Sequence, residues 1–372
     1  MEHTGITIIG AGIVGLAIAS ELSKKREIVV IEKHERAGKE ISSRNSEIIH
    51  SGLYYKKDSL KAKLCVEGKN LLYELCERFN IPHRRTGKLI VAANIAEIPC
   101  LERLLAQGQE NGVLDLELLT RTQAGRLEPN VNTCGALFSK STGIVDIHKL
   151  MDLFQFQATS NESIIAYNSE VTGIEKSPSG YVLQIKSGTE TCHLASQVVI
   201  NSAGLHADKL AELAGIDIKA SRYKIHFCKG EYFIVRNAKD RIRHLIYPLP
   251  EENLRGLGIH ATLDLDGELR LGPNAFYVDV IDYDVNPDHR KKFFEFGKLY
   301  FPFLKEDDLQ PGFSGIRPKL QGQGEGYRDF VIANENEKGL PGFINLVGIE
   351  SPGLTCSPAI ARYVKNIIDA VI

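Results

Sequence analysis

Three kinds of residue in this sequence could do chemistry together: a spaced trio of glycines, a set of histidines, and an arginine among turn residues. Gly10-x-Gly12-x-x-Gly15 lies between the apolar run Thr7-Ile8-Ile9 and the small and apolar stretch Leu16-Ala17-Ile18-Ala19. Glycines at this spacing permit a tight strand-to-helix turn and let the backbone approach a pyrophosphate. The free N–H groups of the helix N-terminus then stabilise the phosphate charge. A second apolar run, Ile28-Val29-Val30-Ile31, ends in Glu32, at the ~20-residue distance where such a fold puts an acid on ribose hydroxyls. Its charge would repel a 2′-phosphate. This motif alone leaves NAD and FAD both open.

The sequence holds eleven histidines. An imidazole with an unperturbed pKa of about 6.5 is mostly neutral at pH 7 and ready to accept a proton. Arg317, in Ser314-Gly315-Ile316-Arg317-Pro318-Lys319, offers a planar fork of donors that matches a carboxylate in two parallel hydrogen bonds. A base, a carboxylate clamp and a redox dinucleotide are what oxidation of a small carboxylate-bearing alcohol or amine requires.

The elements that must position these groups are legible in outline. Continuous β-branched runs without alternation suit parallel strands buried on both faces, so the opening reads as a βαβ unit. Leu60, Leu64, Leu71, Leu75 and Phe79 recur at helical spacing with lysines and a glutamate between them, which predicts one amphipathic helix. Residues 164–199 read as short strands with a turn at Ser177-Pro178-Ser179-Gly180. Gln197-Val198-Val199-Ile200 is a further strand, and the helix after it stops at Gly215. Residues 216–315 alternate like an antiparallel sheet with one exposed face, plus an amphipathic helix near 288–299. Phe343-Ile344-Asn345-Leu346-Val347 returns to a buried strand. The last helix is expected to open with Ser357 as N-cap and Pro358 in its first position. The predicted fold is therefore α/β. A discontinuous Rossmann-type nucleotide-binding domain (1–80, 141–215 and 320–372) carries an inserted α+β substrate domain (81–140 and 216–319) built on an antiparallel sheet.

Composition narrows the function classes. With 372 residues, 43% hydrophobic and 25% charged, the chain is long enough for two domains of ordinary soluble character. A net charge of -2 gives no field for a nucleic-acid partner, and Lys24-Lys25-Arg26 reads as solvated surface. Seven scattered cysteines without a C-x-x-C pair argue against a zinc ribbon or disulfide framework, and no metal is expected. A first strand beginning near Met1 leaves no room for a cleavable leader, and no apolar run reaches the ~20 residues that span a bilayer. The expectation is a cytoplasmic protein, with peripheral attachment to the inner face of the membrane left open.

Further motifs supply a resemblance. Ser42-Ser43-Arg44-Asn45-Ser46, Ala203-Gly204-Leu205-His206-Ala207-Asp208 and the turn from Gly348 to Thr355 together resemble the D-amino-acid oxidase-like superfamily of FAD enzymes. Within it, Asn45 to Tyr55 (with His50-Ser51-Gly52-Leu53-Tyr54-Tyr55), Ser59 to Cys65, Thr86 to Ala92, Thr142 to Asp146, Leu257-Gly258-Ile259-His260 and Leu271-Gly272-Pro273-Asn274-Ala275 are similar to the L-2-hydroxyglutarate dehydrogenase/oxidase family. The match runs from the first strand to the last helix. Two departures stand out: Ile349 to Thr355 is closer to a bacterial branch, and Glu47 replaces a residue commonly small.

The resemblance implies FAD, held non-covalently. Its implied contacts are Gly10, Gly12, Ile13, Val14 and Gly15 at the first turn, Glu32 and Lys33 after the second strand, and Arg44, Asn45 and Ser46 in the following loop. Val171, then Ala203 and Gly204, and finally Gly353, Leu354 and Thr355 complete them. The last three would aim N–H groups and a helix dipole at the edge of the flavin that gains charge on reduction. It implies His50 and His260 as base and substrate-orienting partner, in an order the residues leave open, and Arg317 on the substrate carboxylate. Lys229 and Tyr55 are the expected second-carboxylate contact or pocket wall. The implied reaction is oxidation of L-2-hydroxyglutarate to 2-oxoglutarate, with oxygen or a quinone as final acceptor. The alternatives are a glycerol-3-phosphate dehydrogenase-like or amine oxidase-like enzyme, and a catalytically silent FAD-binding subunit. A phosphate ester would want several cations around the pocket rather than one Arg and a Lys.

Overall fold

The computed structural model describes residues 2–249 and 258–371. Leu257, the first residue of one of the family-like motifs, lies outside the described residues.

The opening run does form βαβ. Strand Glu2–Ile9 pairs in parallel with Ile28–Ile31 on one side and Glu190–Asn201 on the other, and helix Ile13–Leu22 lies between the first two in sequence. Phe343–Val347 continues the parallel ladder beyond Glu190–Asn201, and Ile164–Ala166 extends it beyond Ile28–Ile31. Ser169–Ser177, Gly180–Ser187 and Glu190–Asn201 close one edge as an antiparallel meander. The result is an eight-stranded mixed sheet. Helices Ile13–Leu22, Leu60–Phe79, Ile147–Ser160 and Gly353–Asp369 share one core with it. The expected amphipathic helix starts at Leu60 because the Ser59 hydroxyl accepts from Ala62 N–H, and it ends where Asn80 turns left-handed at φ 55°.

A nine-stranded sheet holds the second core. Its spine is His226–Val235, which runs antiparallel to Leu309–Lys319 over most of its length. All its pairings are antiparallel except that of Leu245–Pro248 with Lys88–Ala92. The helix expected near 288–299 is found as Arg290–Tyr300 and packs Phe293 against Phe233.

A three-stranded sheet joins the halves: Ile48–Ile49, Gly143–Val145 and His83–Arg84. Successive side chains on a strand point to opposite faces. Ile48 and Ile144 accordingly enter the second core while their neighbours Ile49 and Val145 enter the first. His50 follows directly on this seam.

The last helix departs from expectation. It begins at Gly353, a turn before Ser357, so Pro358 lies inside it and the buried Ser357 hydroxyl finds no partner among the described residues. A proline this near a helix start forfeits only one bond, to the carbonyl four residues earlier. The earlier start matters because it brings the helix N-terminus to the seam.

Candidate active site

A cavity of about 1600 Å³ connects the glycine turn to the Leu309–Lys319 strand. Pockets for drug-sized ligands run to about 1,000 Å³, so a dinucleotide and a small substrate fit together. Gly10, Gly12, Ile13, Val14, Glu32, Lys33, Arg44, Asn45, Ser46, Val171, Ala203, Gly204, Gly353 and Leu354 all line it, as do His50, Tyr55, His260 and Arg317.

Gly15 does not line the cavity. A Cβ there would stand 2.0 Å from the Gly10 carbonyl oxygen and 2.7 Å from Ser202 Oγ, so its role is the close packing of helix on strand. The helix N-terminus is further organised by Ser42 Oγ, which accepts from Ile13 N–H at 2.9 Å. Glu32 receives Ala11 N–H (2.8 Å) and His34 N–H (2.9 Å), one on each oxygen. A carboxylate has about four lone-pair sites, so acceptors remain for a ribose. Lys33 lends its ammonium to Glu40 at 2.9 Å, beside His206 at 3.0 Å. Burial works against the Glu40 charge, but His206 and Lys33 outweigh it and hold the carboxyl at about 2.

The loop after Glu40 is fixed by Asn45. Its amide donates to the carbonyls of Ile41 and Ser42 and its oxygen accepts from Glu47 N–H. Arg44 stacks over the Tyr283 ring at 4.0 Å. Its carbonyl oxygen would lie 2.1 Å from a Cβ at Gly315, so only glycine lets the strand bearing Arg317 approach this loop. Val171 sits at a register shift in its strand, where bulges re-aim side chains.

His50 stands where the flavin-side loop meets the last helix. Its N–H donates to Thr355 Oγ1 at 3.0 Å, and its Nε2 lies 3.3 Å from Ser351 Oγ. Among the described residues Nδ1 finds no hydrogen-bond partner, and neither does the Tyr54 hydroxyl in the same wall. Burial, and then the nearby Lys88 ammonium, push the imidazole down to about 3, so it is neutral. Lys88 is itself pushed down to about 7 by burial, lying between the rings of Tyr54 (4.4 Å) and Tyr247 (4.7 Å).

His260 stands directly before strand Ala261–Leu263. It is buried and stacks on Tyr247, with ring centroids 3.5 Å apart and planes at 10°. Arg317 is enclosed in the far wall. Its guanidinium donates to Asn274 O (3.3 Å) and Cys228 Sγ (3.4 Å), two weak contacts that leave donors for a ligand.

Besides Gly15, two further expectations need correction. Lys229 does not line the cavity: strand alternation sends its ammonium to Asp282 at 2.7 Å. Thr355 does not line it either, because its hydroxyl is spent between Ile48 O (3.2 Å) and His50 N–H. In the same turn the Gly353 N–H donates to Glu350 O at 2.6 Å, which leaves Leu354 as the cavity-lining residue whose first-turn N–H faces no helical carbonyl.

The sequence reading missed Tyr247, Lys61, Lys319 and Glu350, all in the cavity wall. Lys61 Nζ and Lys319 Nζ each lie 2.9 Å from a different oxygen of Glu350. Burial opposes the Glu350 charge, yet the two ammonium groups hold its carboxyl at about 2. The pocket is thus richer in cations than one Arg and a Lys. Lys319 had a signal, standing two residues from Arg317 on one strand face. Lys61 had none, since its spacing is that of a solvated helix face.

This fold and site define a dinucleotide-dependent oxidoreductase. A profile of the FAD dependent oxidoreductase (DAO) family matches residues 5–367, and the chain belongs to that family. The chain is 40% identical to "L-2-hydroxyglutarate dehydrogenase, mitochondrial" of Arabidopsis thaliana, over 98% of this chain and 83% of that one. It is 31% identical to "Glycerol 3-phosphate dehydrogenase" of Caloramator mitchellensis, over 98% and 73%. Among solved structures, dithionite-reduced L-alpha-glycerophosphate oxidase from Mycoplasma pneumoniae with FAD bound aligns at a TM-score of 0.86 and 28% identity, over 99% of this chain and 95% of that one.

The comparisons overturn the cytoplasmic placement, inner membrane face included: several relatives are named mitochondrial enzymes. A strand that starts near the first residue speaks to fold and not to compartment. Among the described residues no helix is long and apolar enough to cross a membrane.

Proposed function

We propose that the protein oxidises L-2-hydroxyglutarate to 2-oxoglutarate. The observation that carries this reading is one cavity enclosing the glycine turn, the neutral His50 imidazole and the Arg317 guanidinium. The name of the Arabidopsis relative supports the substrate.

FAD, when bound, supplies the hydride acceptor at N5. His50 Nδ1 and the Tyr54 hydroxyl, which find no partner among the described residues, fit a polar ligand that completes them. The turn at Gly10–Gly15 with Glu32 and Lys33 would hold the adenosine and pyrophosphate. Arg44, Asn45, Ser46, Val171, Ala203 and Gly204 would hold the middle of the cofactor, and Gly353 and Leu354 its flavin end. On this reading 1–80, 141–215 and 320–372 form the flavin-binding unit and 81–140 with 216–319 the substrate unit, in keeping with which strands share each sheet.

Arg317 takes the carboxylate next to the carbinol and fixes the orientation of its C–H bond. Either His50 or His260 takes the hydroxyl proton as that bond breaks, and the carbon becomes a carbonyl. The other histidine orients the substrate oxygen. Ser351 steadies the His50 ring. Oxygen or a quinone then reoxidises the enzyme, and oxygen uptake compared with reduction of a quinone analogue separates the two.

A second reading, oxidation of glycerol 3-phosphate, is favoured by the Caloramator relative and by the number of cavity cations. Turnover with an artificial acceptor decides between them, comparing L- and D-2-hydroxyglutarate with glycerol 3-phosphate. The proposal expects 2-oxoglutarate from the L-acid at the highest kcat/KM. Preference for the phosphate ester would replace it.

A further inference from the structure

The C-terminal end of one strand carries Arg317 and Lys319 two residues apart, separated by buried Pro318. Both line the cavity, as do Lys61 and Glu350. An ammonium has three donors. Lys319 gives one to Glu350, while Lys61 gives one to Glu350 and one to the Arg328 carbonyl at 3.2 Å. Two ammonium groups on one carboxylate leave a single positive charge, and Lys319 keeps free donors.

This charge is expensive to place here unless something uses it. The Lys61 side chain is 4% exposed, that of Glu350 8% and that of Lys319 18%. Removing charges from water costs several kcal/mol per ion, and one neutral pair would have sufficed to satisfy Glu350. The arrangement is also held rigid. Lys61 sits in the first turn of its helix, whose N–H groups at Leu60 and Lys61 are pinned by Asp329. Glu350 stands in the turn that leads to Gly353 and is close enough to act on Arg317 electrostatically.

We propose that Lys319, backed by Glu350 and Lys61, is the subsite for a second, distal carboxylate. The substrate class is then a 2-hydroxy diacid spanning from Arg317 to Lys319. The lengths agree. Residues two apart on a strand stand about 6.6 Å apart, and a five-carbon chain sets its end carbons about 5 Å apart. Glu350 prevents either lysine from folding away and trims the site to one charge, suited to one carboxylate. This inference rests on the proposed oxidation of 2-hydroxyglutarate and adds the residue that selects it.

The test uses the FAD-loaded full chain and two acids, L-2-hydroxyglutarate and L-2-hydroxypentanoate, which carries a methyl in place of the distal carboxylate. The quantity read is the ratio of their kcat/KM values. Wild type should prefer the diacid. Lys319→Met should reduce that ratio roughly 10- to 100-fold, the loss of a hydrogen bond to a charged group, mainly through KM for the diacid. Lys319→Arg, which restores a cation, should recover most of it, and retained FAD with an unchanged melting temperature excludes misfolding. Arg317→Lys should lower both acids together. Equal losses for both acids in Lys319→Met, or an unchanged ratio, overturn the subsite while leaving the oxidation intact. Wild type that turns over glycerol 3-phosphate and neither acid overturns the functional reading, and this one with it.

Discussion

At the scale of single residues, the proposed function turns on whether His50 or His260 accepts the proton. Burial disfavours the charged imidazole, so the folded pKa of His50 lies far below its ordinary 6.5, at about 3. A group depressed in this direction is neutral through the mildly acidic range and is protonated only as the pH falls towards 3. If His50 is the base, anaerobic flavin reduction stays flat from neutrality down past pH 6.5 and falls only in stronger acid. His50→Ala should lose about 10²–10⁴ in rate together with that acidic limb. His260→Ala should then keep the limb and lose rate through misplacement of Tyr247 and substrate. An acidic limb that survives in both variants at near wild-type rates removes both histidines from the role. Arg317→Lys is a second test at this scale. It keeps charge but not the fork, so KM for the substrate should rise clearly, and an unchanged kcat/KM would move the carboxylate elsewhere.

At the scale of elements, Glu32 shows how a local feature serves two purposes. It closes the second strand and caps Ala11 and His34 N–H groups, so Glu32→Ala should weaken FAD by ~1.5–3 kcal/mol in titration. Because two backbone donors also lose their acceptor, the apoprotein should melt slightly lower. An unchanged FAD affinity would mean that no ribose contact is made there. Elements governed by neighbours in sequence were legible without coordinates. The helix from Leu60 to Phe79 and the strand from Phe343 to Val347 follow from periodicity, caps and unbroken apolar runs. The start of the last helix was not, because Pro358 carries the signal of a first helical position while the turn before it takes its shape from Glu350 and His50. Lys61 was hidden for a related reason. The partner that buries Lys61 lies 289 residues away in sequence, beyond any periodicity. Lys229 misled because its charge was visible and the face it points from was not.

At the scale of the whole molecule, a seam of three short strands joins the two large sheets, and His50 follows directly on it. FAD lying in that seam would tie the halves together, so its binding should raise the melting temperature by linkage. Acid precipitation should release it as free FAD into the supernatant, whereas colour left in the pellet would show a covalent bond. The central claim, that this chain by itself transfers a hydride from a 2-hydroxy acid, is tested most directly by mixing the FAD-loaded protein with L-2-hydroxyglutarate without oxygen and following the oxidised-flavin absorbance. We predict full bleaching in a single turnover, with one 2-oxoglutarate formed per flavin. Absorbance that holds steady, while the protein still carries FAD and dithionite still bleaches it, would contradict the account.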